Sequence, residues 1–283
     1  MRAPFVGGME LAGEVLAIGA NVARWRPGDR VMGRGAGYAE RAVVSGSRLM
    51  AVPDGLDWPE AGGLPVALTT SYEAVVTSGR LEAGQTVVVN AATSGVGVVA
   101  LQMAAALGAA TVVAVSRSID KLRVLEAFVR PLPCRLMIVD TSADSLVEAV
   151  RDCTDGRGAD LIIDHVGAAA LEDNIAAARH RGRIVQVGRL GGKVATINLE
   201  ELASRRLELL GVSFRSRTAE EHAAVVQNCA ATIGPHLPDI RPRVERTYRL
   251  TDVLRAQEHL ELNSHVGKLV LVNEPERGGE QTA

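Results

Sequence analysis

Cysteine is scarce in this chain: only Cys134, Cys153 and Cys229 occur among 283 residues, far apart in sequence. That spacing gives neither a disulfide framework nor a zinc-ligand pattern, and a reducing, cytoplasmic setting is the expectation. Aromatic residues make up only 3%, and no extended basic and aromatic surface accompanies the RSR run at 215–217, which argues against a nucleic-acid platform. An excess of one charge is also missing. The 31 basic and 33 acidic side chains leave a net charge of -2, and their mixing offers no footprint for nucleic acid or an anionic membrane. Long hydrophobic runs are absent as well: Gly108 interrupts the alanine-rich stretch at 98–110, and MRAPFVGGMELAG lacks the apolar core of a secretory signal. A soluble, non-membrane protein is expected, with GGEQTA at 278–283 as a mobile tail.

The residues that are present exclude a disordered chain, since 47% are hydrophobic and 23% charged. The length favours two domains over one. Residues 1–65 read as a small β-rich module: ELAGEVLAIG, RPGDRVMG and GYAERAVV suggest strands joined by turns, with Gly28 and Asp29 in one of them. From about residue 66 the period changes. TVVV at 86–89, TVVAV at 111–115, RLMIVD, LIID, RIVQVG and LELLGV read as strands, and helices are expected over 96–107, near 143–151, near 170–179 and over 219–233. Such alternation predicts an α/β fold, a doubly wound parallel sheet over 66–235 with its ligand crevice at the strand ends. RTYRL, a helix from about Asp252 to Leu262, and KLVLV suggest that 236–283 returns to complete the β-rich domain.

The chemistry concentrates at AATSGVG, between the first of these strands and an alanine-rich helix. The small residues Ala91, Ser94 and Gly97, with Gly95 between the latter two, let a backbone approach a pyrophosphate, and the helix N-terminus stabilises its oxygens. A turn selected only for helix–strand packing is the plainer reading, but the strand–turn–helix context favours nucleotide binding. At the end of the next strand, SRSIDK offers Ser116, Arg117 and Lys121 where an NAD site commonly places an acid. Arg117 and Lys121 are therefore candidates for the 2′-phosphate of NADPH, against ordinary surface solvation.

These residues, with TTSYEAV at 69–75, GADLIIDHVG at 158–167, GRIVQVGRLGG at 182–192, RRLELLGVSFRSRTAEE and HVGKLVLV at 265–272, resemble the zinc-independent quinone oxidoreductase branch of the medium-chain dehydrogenase/reductase superfamily. The resemblance covers nearly the whole chain. It implies a Rossmann domain beside a partial GroES-like catalytic domain, with NADPH/NADP in the cleft between them. Hydride transfer to a small-molecule quinone or conjugated carbonyl is the implied activity. Thr70 is expected near the cofactor, Ser94 to Gly97 at its pyrophosphate, and Ser116, Arg117 and Lys121 at its ribose phosphate. Val187, Gly188 and Phe214 would border nicotinamide, and Gly267 and Lys268 match the family's terminal GK segment. A homodimer through an edge of the Rossmann sheet is a further family expectation.

The chain departs from the family pattern in three places. The family has several dozen catalytic-domain residues before the segment matching GMELAGEV, so the substrate wall is expected to be incomplete. The alternative reading is therefore a catalytically impaired nucleotide-binding or interaction protein. The family tyrosine after the strand matching LMIVD is replaced by a turn of Asp140 and Thr141, and Pro131 and Pro133 predict an irregular linker before that strand. Met9 stands where the zinc-containing branch has a histidine before the residue matching Glu10. No metal is expected, with Cys134 buried and His165 at the surface. Glu10, Glu14, Glu200 and Glu201 read as structural or surface carboxylates, Tyr72 as packing, and no catalytic acid is assigned.

Overall fold

The computed structural model describes residues 5–273; the tail at 278–283 lies outside them. The chain opens with a three-stranded antiparallel sheet, β1 (Leu11–Glu14), β2 (Arg30–Gly33) and β3 (Leu49–Ala51), in that spatial order. Its own small core gathers Trp25, Val31 and Leu49. The indole N–H of Trp25 donates to the Gly46 carbonyl at 2.8 Å, so the ring is buried without an orphaned donor.

Two short helices come next. In α1 (Trp58–Gly63) the Asp57 carboxylate and Glu60 form a reciprocal capping box. Pro65 starts α2 (Pro65–Tyr72), in which every residue except Val66 is buried. A helix buried all round has no polar face to mark its period, so the sequence pattern does not predict α2.

The main body alternates strand and helix: β4 (Thr86–Asn90), α3 (Gly95–Ala106), β5 (Thr111–Ser116), α4 (Ile119–Val129), β6 (Arg135–Asp140), α5 (Leu146–Cys153), β7 (Ala159–Asp164), α6 (Leu171–Ala177), β8 (Ala178–Gln186), α7 (Leu199–Ser204), β9 (Glu208–Gly211) and α8 (Ala219–Ile233). The six strands pair in parallel in the order β6-β5-β4-β7-β8-β9. Successive residues of the central strands feed opposite faces. Val87, Val89, Val112, Leu161 and Ile163 pack on one side with α2, α3 and α8, while Val88, Val113, Ile162 and Ile184 pack on the other with α5 and α6. Both faces are covered, as the continuous apolar strands require. The order reverses between β4 and β7, placing the crevice at their carboxyl ends.

β10 (Val244–Arg249), α9 (Val253–Glu261) and β11 (Lys268–Val272) complete the described chain. β10 and β11 form a separate parallel pair that packs on α1. Several expectations need correction. GYAERAVV forms no strand, and Val43 within it is fully exposed, so its alternation has no core face to serve. The helix near 170–179 stops at Ala177, and Ala178 already belongs to β8. The linker at Pro131 and Pro133 is irregular, as expected, and it leaves a helix, α4, that the sequence reading does not mark.

Candidate functional site

The turn from β4 into α3 is built by close approach. Ala91 takes a left-handed backbone (φ 47), and its carbonyl would stand 2.5 Å from a β-carbon on Gly97. Gly97 is therefore demanded by packing of the turn against the helix. The Ser94 hydroxyl oxygen caps α3 by accepting from the Gly97 N–H at 3.1 Å. The preceding amides, of Gly95 and Val96, find no acceptor among the described residues, so the helix start presents two free donors where an anion would sit.

The return segment closes over this turn. Gly267 bridges to Ser94, and its N–H donates to the Thr93 carbonyl at 2.8 Å. With φ +87, and an added β-carbon only 2.1 Å from the Arg243 carbonyl, Gly267 admits no side chain. Lys268 then lies across Gly95, and its ammonium pairs with Glu10, whose other oxygen accepts from the Val66 N–H at 2.7 Å, at the start of α2. Glu10 thus links β1, α2 and the glycine turn, a role that its reading as a structural carboxylate understates.

At the end of β5, Ser116 is half-buried, Arg117 exposed and Lys121 half-buried in the first turn of α4. Burial and the neighbouring Arg117 charge hold the Lys121 ammonium below its usual pKa, while Glu245 opposes this. Its Nζ also donates to the Asn263 carbonyl. Next to them, Asp140 accepts from the Ser142 N–H and hydroxyl, and the Thr141 N–H donates to the Ser116 carbonyl, so these two residues do occupy the local turn.

On the far side of the reversal, the Val187 and Gly188 amides both donate to the Asp164 carbonyl. A β-carbon on Gly188 would stand 2.1 Å from the His165 carbonyl. His165 is buried, not at the surface, because the end of β7 lies beneath this turn. Desolvation pushes its pKa down to about 4. Cys134, in turn, is only half-buried.

Phe214, after β9, carries two cations: the Arg34 guanidinium is 4.2 Å and that of Arg217 4.9 Å from the ring centroid. Arg217 has a buried carboxylate partner, Glu73. Arg34 has none within ion-pair distance among the described residues; it donates to the Thr69 hydroxyl at 3.2 Å, and burial depresses its pKa. Thr70, the next residue of α2, is buried and its hydroxyl forms no hydrogen bond within the described chain. Sequence reasoning missed Arg34, and the available signal was a cation directly following the buried end of β2.

The structure therefore gathers Ser94 to Gly97 with Lys268, Arg117 with Lys121, and Val187 with Gly188, while Thr70 and Phe214 flank Thr69 and Arg34. Residues 95–231 match the family described as zinc-binding dehydrogenase, and residues 1–54 the alcohol dehydrogenase GroES-like domain. A zinc ion does not fit the residues present: among the described residues no three His, Cys, Asp or Glu side chains gather, and burial pushes the Cys229 thiol up to about 12. A quinone oxidoreductase of Pseudomonas aeruginosa is 30% identical over 272 residues, covering 94% of this chain and 81% of that protein. The quinone oxidoreductase-like protein 2 homolog of Nematostella vectensis is 29% identical over 212 residues, covering 74% of this chain but only 56% of that one. A mycobacterial protein solved in complex with NADPH superposes with a TM-score of 0.80 at 28% identity, covering 96% of this chain and 84% of that one. The chain belongs to the zinc-independent, quinone-oxidoreductase-related branch of the medium-chain dehydrogenase/reductase superfamily.

Proposed function

We propose that this oxidoreductase uses NADPH to reduce a quinone or another carbonyl conjugated to an alkene. The observation that carries the cofactor choice is the Arg117 and Lys121 pair at the end of β5, where the Arg117 charge disfavours the Lys121 ammonium and the two cations suit a shared phosphate. The relatives' names support the substrate class. NADPH, when bound, supplies the hydride. The Gly95 and Val96 amides would hold the pyrophosphate, Lys268 would flank it, and Val187, Gly188 and Phe214 would border the nicotinamide. Thr70 offers an unengaged hydroxyl on α2. Arg34 brings a positive charge that no described carboxylate pairs at contact distance to this side of the cleft, where it would favour negative charge developing on a carbonyl oxygen.

NADPH oxidation followed across a panel of quinones and enones tests the reading. Turnover of at least one substrate with stoichiometric NADPH loss is expected. Tight NADPH binding with no turnover by folded protein would replace it with a nucleotide-binding module, and a preference for NADH would reject the cofactor choice. We also propose a homodimer through β9, whose Leu209 is 41% exposed at the sheet edge. A persistent monomer by light scattering would overturn that.

A further inference from the structure

A second concentration of positive charge lies at the opposite end of the parallel sheet from the glycine turn. Its origin is a disruption of register. Ala159 of β7 pairs with Ala178 of β8, but Leu161 pairs with Arg183, so β8 carries additional residues that do not follow the ladder. Those residues are Arg179, His180, Arg181 and Gly182. Gly182 is confined, because a β-carbon there would stand 2.9 Å from the Arg179 carbonyl. Arg181 takes a left-handed backbone (φ 62), and its N–H donates at 2.8 Å to the carbonyl of Arg205 in the turn between α7 and β9. The next residue, Arg206, is left-handed as well (φ 52). Two strained basic turns are thus tied to each other, and their side chains face a pocket of about 520 Å³ lined by Arg179, His180, Arg181, Arg183 and Arg206, with Gln85 and the carboxylates Glu82 and Glu208.

The carboxylates in reach offset this group only in part: burial, Arg80 and Arg179 hold the Arg183 pKa below the usual value, although Glu208 and Glu82 favour its charge through space. Arg179 pairs with Asp160, and Glu208 is taken by Arg80 from outside the lining. Arg181, Arg183 and Arg206 have no carboxylate within ion-pair distance among the described residues. Arg183 makes only long hydrogen bonds, at 3.3 Å to the Gln85 side-chain oxygen and 3.4 Å to the Arg80 carbonyl, and its buried Nε has no acceptor. A neighbouring pocket of about 430 Å³ meets the first at His180 and adds Arg205 and exposed Arg151 and Arg157, against one exposed carboxylate, Glu201. Cations that outnumber the carboxylates around them repel one another, and a ligand with several anionic oxygens relieves that cost by accepting planar guanidinium forks.

We propose that this pocket is a second anion site, separate from the dinucleotide cleft, that binds a polyphosphate chain through Arg181, Arg183 and Arg206. One carboxylate would engage a single fork, whereas divergent arginines around a pocket of this size fit several linked phosphates. The chain can be inorganic or borne by a nucleoside, and the chemistry of recognition is the same.

The test is calorimetric titration of the protein, already saturated with NADPH, with inorganic triphosphate in one arm and a nucleoside triphosphate in the other. One site per chain is expected in at least one arm. Arg181→Asn with Arg206→Asn removes two guanidinium groups and keeps a residue type that tolerates the left-handed backbone. The pair should weaken binding by roughly tenfold or more and leave NADPH affinity unchanged. A control pair, Arg26→Asn with Arg41→Asn, removes the same charge from the β1–β3 region and should have little effect. Arginine-selective labelling of the unmodified protein provides a second readout that needs no variant: triphosphate should protect Arg181 and Arg206. Tighter binding of the nucleoside form would point to a nucleotide as the source, and equal binding to the chain alone; both support the site. No binding in either arm, equal weakening by the control pair, or unprotected arginines overturns it.

Discussion

Lys268 lies across Gly95 so closely that a β-carbon on that glycine would stand 2.6 Å from both Cδ and Cε of the lysine. The obstacle is a flexible side chain, whereas the one facing Gly97 is backbone, 2.5 Å from the Ala91 carbonyl oxygen. The two glycines should therefore respond differently. Gly95→Ala is expected to change stability by less than about 1 kcal/mol, since Lys268 can swing aside, while weakening NADPH binding. Gly97→Ala is expected to cost about 1–3 kcal/mol by forcing strand from helix. Urea titration beside NADPH titration separates the two, and equal stability losses would refute the distinction.

Arg117 and Lys121 should set cofactor preference. Replacing both with serine is expected to weaken NADPH by roughly tenfold or more and to leave NADH nearly unchanged, with solvent exposure pulling the effect downward. Dissociation constants for both cofactors, measured on both proteins, decide it. Parallel losses would mean that the cations do not read the ribose phosphate.

The Arg217–Glu73 pair joins the loop after β9 to the end of α2, and the Glu73 side chain is only 4% exposed. Arg217→Met strands that carboxylate and should destabilise the fold by about 3 kcal/mol. Adding Glu73→Gln should recover much of the loss, because a neutral amide can keep the contact with the Thr77 hydroxyl. A double-mutant cycle in urea measures this, and independent additive losses would contradict it.

His165 should make stability fall in mild acid. Its folded pKa of about 4 lies below the unfolded value of 6.5, so the unfolded chain binds the extra proton. The stabilisation is complete above the unfolded pKa and is lost as pH falls from 6.5 toward about 4, amounting to about 3 kcal/mol. His165→Leu should flatten that part of the profile. Denaturation curves across the window test it, and an unchanged slope in the variant would assign the acid sensitivity elsewhere.

The sheet was legible in the sequence because a doubly covered strand reads as a continuous apolar run; β4, β5 and β7 are of this kind. The glycine turn was legible because its small residues come directly after such a strand. Three features were hidden for physical reasons. α2 is buried all round and has no polar face to reveal its period. Arg34 is one cation in a loop, and only the fold sets it against Phe214. The basic pocket arises from Arg181 and Arg206, distant in sequence and joined by one backbone hydrogen bond. His165 was misplaced because a polar residue following a strand suggests a surface turn, whereas Val187 and Gly188 cover it here.

The partners that close over the glycine turn come from opposite ends of the described chain: Lys268 and Glu10 stand 258 positions apart. During synthesis, therefore, the six strands and the turn emerge before β11 does. A nascent chain that has exposed β4 and α3 has Gly95 open to solvent and Glu10 without its lysine. On the proposed reading, competence to hold a dinucleotide would then arrive late, when β11 leaves the ribosome and docks, together with the long-range contacts that fold most slowly.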